Sequence, residues 1–166
     1  HEEGIESLNA RYLAKQLNCS TMPIFQSFQD MNELKAEVKL RIDEYYTEFI
    51  NQYIDKADYL FTISFAYINF ARKERNFFGA LFVNPLLGSR TVQEVIDSPW
   101  NRETIECTAE QFKISIQESE GCTGMSFYAH GIATQLYGGN MRFSEEEIQT
   151  LLRNVMEKFL KGEARI

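Results

Sequence analysis

Proline, histidine and cysteine are all scarce in this chain, and each scarcity narrows the class of protein. Three prolines among 166 residues, with little alternation of apolar and polar residues, predict an all-α protein. Three cysteines are an odd number without a CxxC spacing, which argues against a disulfide framework and predicts a reducing, cytoplasmic location. Because no run of about 18 apolar residues occurs, no membrane span is predicted.

Groups that perform catalysis are also sparse. His130 is the only internal histidine, and the sequence contains no HExxH motif and no glycine-rich phosphate loop. A Ser-His-Asp or Cys-His site has no motif that would locate it. We therefore predict a protein that is not an enzyme and has no metal or cofactor. We expect His130 to form a hydrogen bond where two helices meet.

Residues 9–28 contain the most informative pattern, two short helices joined by a tight turn. Leu13 and Leu17 recur at i and i+4, and so do Ile24 and Phe28, which gives each helix an apolar side. These two sides are expected to face each other. Two short helices with such a turn form a helix-turn-helix, whose second helix can lie in the DNA major groove.

The turn has its own chemistry. Ser20 or Thr21 can accept hydrogen bonds from the free amides of the second helix. Pro23 then falls in the first turn, where its missing N–H has no cost. The sequence therefore predicts a capped second helix that begins near residue 21.

Charge supports a DNA-facing surface. Residues 9–29 include Arg11 and Lys15 and no acidic residue, although the net charge of the chain is −7. A surface that approaches phosphates excludes carboxylates, because each would repel the DNA backbone. The alternative from spacing alone is a helical hairpin that packs on another part of the protein.

Capping signals locate further helices. Asp30 with Glu33, and Ser144 with Glu147, have the spacing of capping boxes. The first opens a long helix of about 23 residues, which at 1.5 Å each is roughly 35 Å long. Its predicted apolar stripe passes through Tyr45.

The segment RYLAKQLNCSTMPIFQSFQDMNELKAEV resembles the DNA-binding segment of TetR/AcrR-type transcriptional regulators. The shared features are an A-x-x-L run, a turn that ends in Ser-Thr, an aromatic residue near the end of the second helix, and Phe before a long helix. A second segment, about a hundred residues downstream, is FYAHGIATQLYGGNMRFSEEEIQTLL. It resembles the last two helices of the same family.

The resemblance implies a two-part protein. Residues 1–35 would be a helix-turn-helix head, and residues 36–166 a regulatory domain that binds an effector and forms a homodimer. Together they would act as a ligand-responsive repressor on a double-stranded DNA operator. The residues assigned to DNA contact are Asn9, Arg11, Ser20, Thr21, Met22, Phe25, Gln26 and Ser27.

The chain departs from the family pattern in three ways. Phe25 stands where the family usually has Tyr, so a phosphate-contacting hydroxyl is lost, and Met31 replaces a common Lys. The family's first helix is not in this sequence, since HEEGIESL reads like its tail and the following loop. We therefore expect the chain as given to bind duplex DNA poorly. The alternative function is a helical ligand-binding or dimerisation module without DNA binding.

Aromatic residues are concentrated in the middle of the chain. Their first expected role is core packing. The resemblance implies a second role, an apolar pocket between helices for a small apolar or aromatic effector. The residues assigned to it are Phe61, Phe65, Tyr67, Phe70, Phe78, Phe82, Trp100, Phe112 and Tyr128.

The last two helices are predicted to form the dimer interface. Both have more apolar positions than one neighbour can cover, and the small residue Gly131 suggests close helix approach. Two copies would form a four-helix bundle with two-fold symmetry. The alternative is that these helices only close the monomer core. The residues assigned to the interface are Met125, Ala129, Ile132, Leu136, Ile148, Leu152, Val155 and Phe159.

Overall fold

The computed structural model of the protein describes residues 8–84, 91, 93–94, 97–121 and 124–161. Within these ranges the chain is all-helical and contains no strand, as predicted. The α-helices are α1 (Ala10–Gln16), α2 (Met22–Ser27), α3 (Met31–Asn51), α4 (Tyr59–Lys73), α5 (Arg75–Phe78), α6 (Pro99–Phe112), α7 (Ile116–Gly121), α8 (Gly124–Gly138) and α9 (Glu145–Leu160). A 3₁₀ turn (Lys56–Asp58) precedes α4, and a π-helical segment (Gly79–Val83) continues α5.

Both predicted N-cap side chains make their hydrogen bonds, and the capping box at α9 is complete. At α3 it is incomplete, because Glu33 Oε2 accepts from the Gln29 N–H and not from that of Asp30. Asp30 Oδ1 accepts hydrogen bonds from the backbone N–H groups of Asn32 and Glu33, at 2.7 and 3.0 Å. At α9, Ser144 Oγ accepts from the Glu147 N–H at 3.1 Å, and Glu147 Oε2 accepts from the Ser144 N–H at 2.7 Å. These bonds satisfy amides that a helix start leaves free. The local sequence therefore fixes where α3 and α9 begin.

Two local expectations, for the cap of α2 and for the buried face of α3, are wrong. Thr21 is the residue before α2, but its side chain makes no capping hydrogen bond. Its backbone is already helical, with φ −72° and ψ −14°, whereas a capping side chain needs extended geometry. On α3 the buried stripe includes Tyr46, which is 8% exposed, in place of Tyr45, which is 39% exposed. Pro23 does lie in the first turn of α2, as predicted.

Helices α1 and α2 and the start of α3, called the head below, share a small core. Ala10 and Ala14 on α1, Ile24 on α2 and Leu34 on α3 form one buried cluster. Partly buried side chains around it are Leu8, Leu13, Phe28, Met31 and Val38. The two helices therefore meet through small residues and one isoleucine. Leu17 was expected on this face, but it follows the last residue of α1 and is 66% exposed.

The remaining described helices, called the body below, pack around α4, which contacts α3, α6, α8 and α9. Ile68 and Phe70 on α4 are fully buried in the large core cluster. This agrees with the almost continuously apolar sequence of α4, because a helix that is apolar on most faces is buried on most faces. Val38 on α3 packs against both clusters, so α3 connects the head to the body.

Tyr137 of α8 lies directly on Gly79 in the π-helical segment. A Cβ atom at position 79 would be 2.7 Å from the Tyr137 hydroxyl oxygen and 2.9 Å from a ring carbon. The Tyr137 ring is itself packed against Phe78, with ring centroids 5.8 Å apart. A Cβ at Gly131 would meet nothing within 4 Å, so no described helix of the same chain approaches closely at Gly131.

These two glycines give a matched pair of substitutions. Gly79→Ala is expected to lower the free energy of unfolding by about 1–3 kcal/mol, because the added methyl overlaps a ring that is already packed. Gly131→Ala is expected to raise it by about 0.5–1 kcal/mol, the usual gain inside a helix with open space. Urea denaturation measures both values. Equal effects at the two positions would contradict the close contact at Gly79.

Candidate functional site

The surface of the head combines polar, cationic and apolar side chains. Arg11 and Lys15 on α1 are exposed, and Phe25 on α2 is 51% exposed. Among the eight residues assigned to DNA contact, only Thr21 is half-buried. The exposed ones are Asn9, Arg11, Ser20, Met22, Phe25, Gln26 and Ser27. The predicted contact residues are therefore available to a partner.

Two of these residues also have local structural roles. Asn9 is the N-cap of α1, where its Oδ1 accepts a hydrogen bond from the Tyr12 N–H at 2.9 Å. Ser27 Oγ donates to the Pro23 carbonyl at 3.1 Å. Because Asn9 caps its helix, its replacement would weaken α1 as well as any contact with a ligand.

Most of the aromatic residues assigned to an effector pocket belong to packed ring pairs. Ring centroids are 5.9 Å apart for Phe61 and Phe65, 5.1 Å for Tyr67 and Phe82, and 5.4 Å for Phe78 and Phe82. Phe70 packs on Tyr46 of α3 with centroids 4.9 Å apart. These are normal distances for packed aromatic pairs. Phe70 and Phe78 are fully buried, and the half-buried members of the set are Phe61, Phe65, Tyr67, Phe82, Phe112 and Tyr128. The side chain of Trp100 lies outside the described part of the structure.

A hydrogen bond between Tyr67 and His130 lies at the edge of this aromatic group. The Tyr67 hydroxyl and His130 Nδ1 are 2.8 Å apart and join α4 to α8. Burial lowers the pKa of His130 below its ordinary value of 6.5, which keeps the imidazole neutral at pH 7. The prediction that His130 is hydrogen-bonded at a helix contact is confirmed.

The residues assigned to the dimer interface lie mainly inside the monomer. Most belong to the large core cluster, which already packs within a single chain; these are Met125, Ala129, Ile132, Ile148, Leu152 and Phe159. Leu136 and Val155 are half-buried. The burial of these six residues agrees with the alternative, in which the two helices close the core of the monomer. A second copy could reach the exposed parts of Leu136 and Val155.

A small polar pocket lies between α4, α6, α7 and α8, and sequence reasoning missed it. Its volume is about 10 Å³. Its lining consists of Leu60, Asn101, Thr104, Ile105, Thr108, Ser119 and Ser126. No periodicity or motif connects these residues, because they come from four helices that only the tertiary fold brings together.

Titratable groups form no evident metal centre in the described ranges. There, no group of three or more His, Cys, Asp or Glu side chains could hold a metal ion. Cys19 and Cys107 are free thiols, and Cys122 lies outside the described residues. No described helix is both long and apolar enough to cross a bilayer.

Comparison with known proteins gives no match, either to a protein-family model or to a curated protein sequence.

Proposed function

We propose that the protein is a DNA-binding transcriptional regulator that acts as a homodimer. The observation that supports this most directly is the exposed, acid-free surface of α1 and α2. Arg11 and Lys15 of α1 are exposed, as are Gln26 and Ser27 of α2, in a chain whose net charge is −7. Exclusion of carboxylates from one surface of an acidic protein suits contact with phosphates.

In this proposal α2 is the recognition helix. Its buried Ile24 fixes it against α1, and Met22 and Gln26 face solvent. A glutamine amide can donate and accept at once, which matches the N6 and N7 edge of adenine in the major groove. Met22 and Phe25 offer apolar contact to thymine methyl groups. Arg11 binds the phosphate backbone of the DNA, and further phosphate or base contacts come from Ser20, Thr21 and Ser27.

The body regulates the head through α3. Two heads must be roughly 34–36 Å apart to enter successive major grooves. A small apolar or aromatic effector that binds more tightly when the heads have another spacing lowers the affinity for DNA. The size of this effect equals the ratio of the effector's affinities for the two head spacings. Because the rings around Phe78 already contact one another, the effector enters by displacing rings, with Tyr67 and His130 as polar partners.

Arg11→Ala tests the phosphate contact. We expect weaker binding to every duplex sequence, and a fall of about 0.9 in the slope of log affinity against log salt, the value for one lost phosphate contact. The unmodified protein is first used to select duplexes from a random library. These duplexes are the ligand in the binding measurement. Fluorescence anisotropy at several salt concentrations then measures affinity and slope.

Arg142→Ala is the matched control, because it removes the same charge from an exposed position between α8 and α9. It is expected to leave both affinity and slope nearly unchanged. An equal loss in the two variants would mean that net charge, and not the head, determines binding. Unchanged affinity and slope in Arg11→Ala would count against the assigned role.

A second candidate is a helical ligand-binding or dimerisation module that does not bind DNA. It is favoured by the acidic net charge and by three large apolar side chains exposed on the head, Leu17, Met22 and Phe25. Exposed apolar groups of this kind also suit a protein partner. The library selection separates the two candidates, because recovery of no enriched duplex at low salt would favour the second.

A further inference from the structure

Thr108 contains a buried hydroxyl without a hydrogen-bond partner. It is 1% exposed, and its Oγ1 has no partner among the described residues. A threonine inside a helix commonly donates to a carbonyl of the preceding turn. An unpaired buried hydroxyl is costly, because it has lost its hydrogen bonds to water without replacement.

The pocket beside Thr108 is lined mostly by neutral polar side chains. Ser119 is also 1% exposed, and its Oγ donates to the Ile105 carbonyl at 2.6 Å. Since that bond uses the only hydroxyl hydrogen of Ser119, its oxygen can now only accept. Asn101 and Thr104 of α6 and Ser126 of α8 complete the polar lining, and Leu60 and Ile105 contribute an apolar side. No charged side chain lines the pocket among the described residues.

We infer that this pocket binds one water molecule, which joins α6 to α7 and α8. Size and chemistry agree, because the pocket holds about 10 Å³ and a single water needs roughly 10–15 Å³ with two to four polar partners. The water donates to Ser119 Oγ and shares a hydrogen bond with Thr108 Oγ1, with Ser126 as a further partner. This water satisfies the hydroxyl that the protein leaves unpaired.

A high-resolution crystal structure of the unmodified protein tests the site directly. We expect a density peak within hydrogen-bonding distance of Thr108 Oγ1 and of Ser119 Oγ or Ser126 Oγ. A pocket without such a peak overturns the inference, and so does a Thr108 hydroxyl turned to a protein partner. This test requires no variant to fold.

Thr108→Val provides an independent test through the sign of its effect. With a bound water, valine removes a satisfied hydroxyl, and we expect about a fivefold fall in the folding equilibrium constant, the value of one net hydrogen bond. In a dry pocket, valine removes an unpaired hydroxyl and stabilises the protein. Thr150→Val, at an exposed position of α9, controls for the helix preference of valine. A higher urea midpoint for Thr108→Val than for this control overturns the inference.

Discussion

Replacing Phe78 by alanine is expected to lower the free energy of unfolding by about 3–5 kcal/mol. Phe78 is fully buried where α5 passes into the π-helical segment. Its ring centroid lies 5.5 Å from that of Tyr67, 5.4 Å from Phe82 and 6.1 Å from His130. Truncation removes these contacts together and leaves a cavity that the surrounding rings fill only in part.

Phe65→Ala is the matched control for Phe78→Ala. Phe65 is half-buried on α4 and stacks on Phe61, with centroids 5.9 Å apart. We expect a smaller loss there, because part of its surface already faces water. Urea denaturation of both variants gives the comparison. A loss below about 1 kcal/mol at Phe78 would mean that its neighbours collapse into the space, which suits an adaptable pocket better than a rigid core.

Local sequence patterns predicted much of the helical structure. The caps at Asp30 and Ser144 depend on residues two or three positions apart, which makes them readable from sequence alone. Ile24 was predicted to face α1 from its spacing with Phe28, and its burial confirms this. The predicted buried face of α3 was wrong by one residue at Tyr45. Tyr45 and Tyr46 are adjacent and chemically identical, so only packing against the body selects which one is buried.

The candidate sites were less predictable because they depend on distant residues. Tyr67 and His130 are 63 residues apart, and no spacing rule relates them. The π-helical segment at Gly79 has an extra residue per turn, which changes which side chains face Tyr137. The polar pocket at Thr108 combines four helices. Each of these features exists only after the helices have packed.

Burial of the assigned dimer residues shows the same dependence on tertiary contacts. Apolar stripes on α8 and α9 indicate that one face of each helix is buried. They do not indicate whether helices of the same chain or a second copy bury it. In the monomer, α4 contacts both helices, and Met125 and Ile148 are fully buried. The sequence alone does not show how many neighbouring helices each helix has. It therefore cannot show which apolar positions remain for a dimer interface.

Leu152→Glu is expected to unfold the chain, with a loss that exceeds about 5 kcal/mol. Leu152 is fully buried in the core cluster, so the substitution places a carboxylate without a partner among apolar side chains. That loss is comparable to the whole stability of a typical domain, about 5–15 kcal/mol. Thr150→Glu adds the same charge to the exposed face of α9 and is expected to leave the fold intact. Circular dichroism at 222 nm compares the two, and a folded Leu152→Glu protein would contradict the burial of this residue.

Leu136→Glu is the variant that tests association with the smaller effect on the core, because Leu136 is half-buried at the edge of the core cluster. Leu136 is half-buried on α8, so a carboxylate there can remain hydrated in the monomer but not in an apolar interface. If two copies pair through α8 and α9, the unmodified protein has a mass of about twice 19.3 kDa in light scattering, and Leu136→Glu returns it to 19.3 kDa with its helical signal retained. An interface that holds at micromolar concentration is expected to bury on the order of 1,200 Å² or more. A persistent monomer of the unmodified protein would remove both the dimer and the regulatory mechanism, because two connected heads are needed to span successive major grooves.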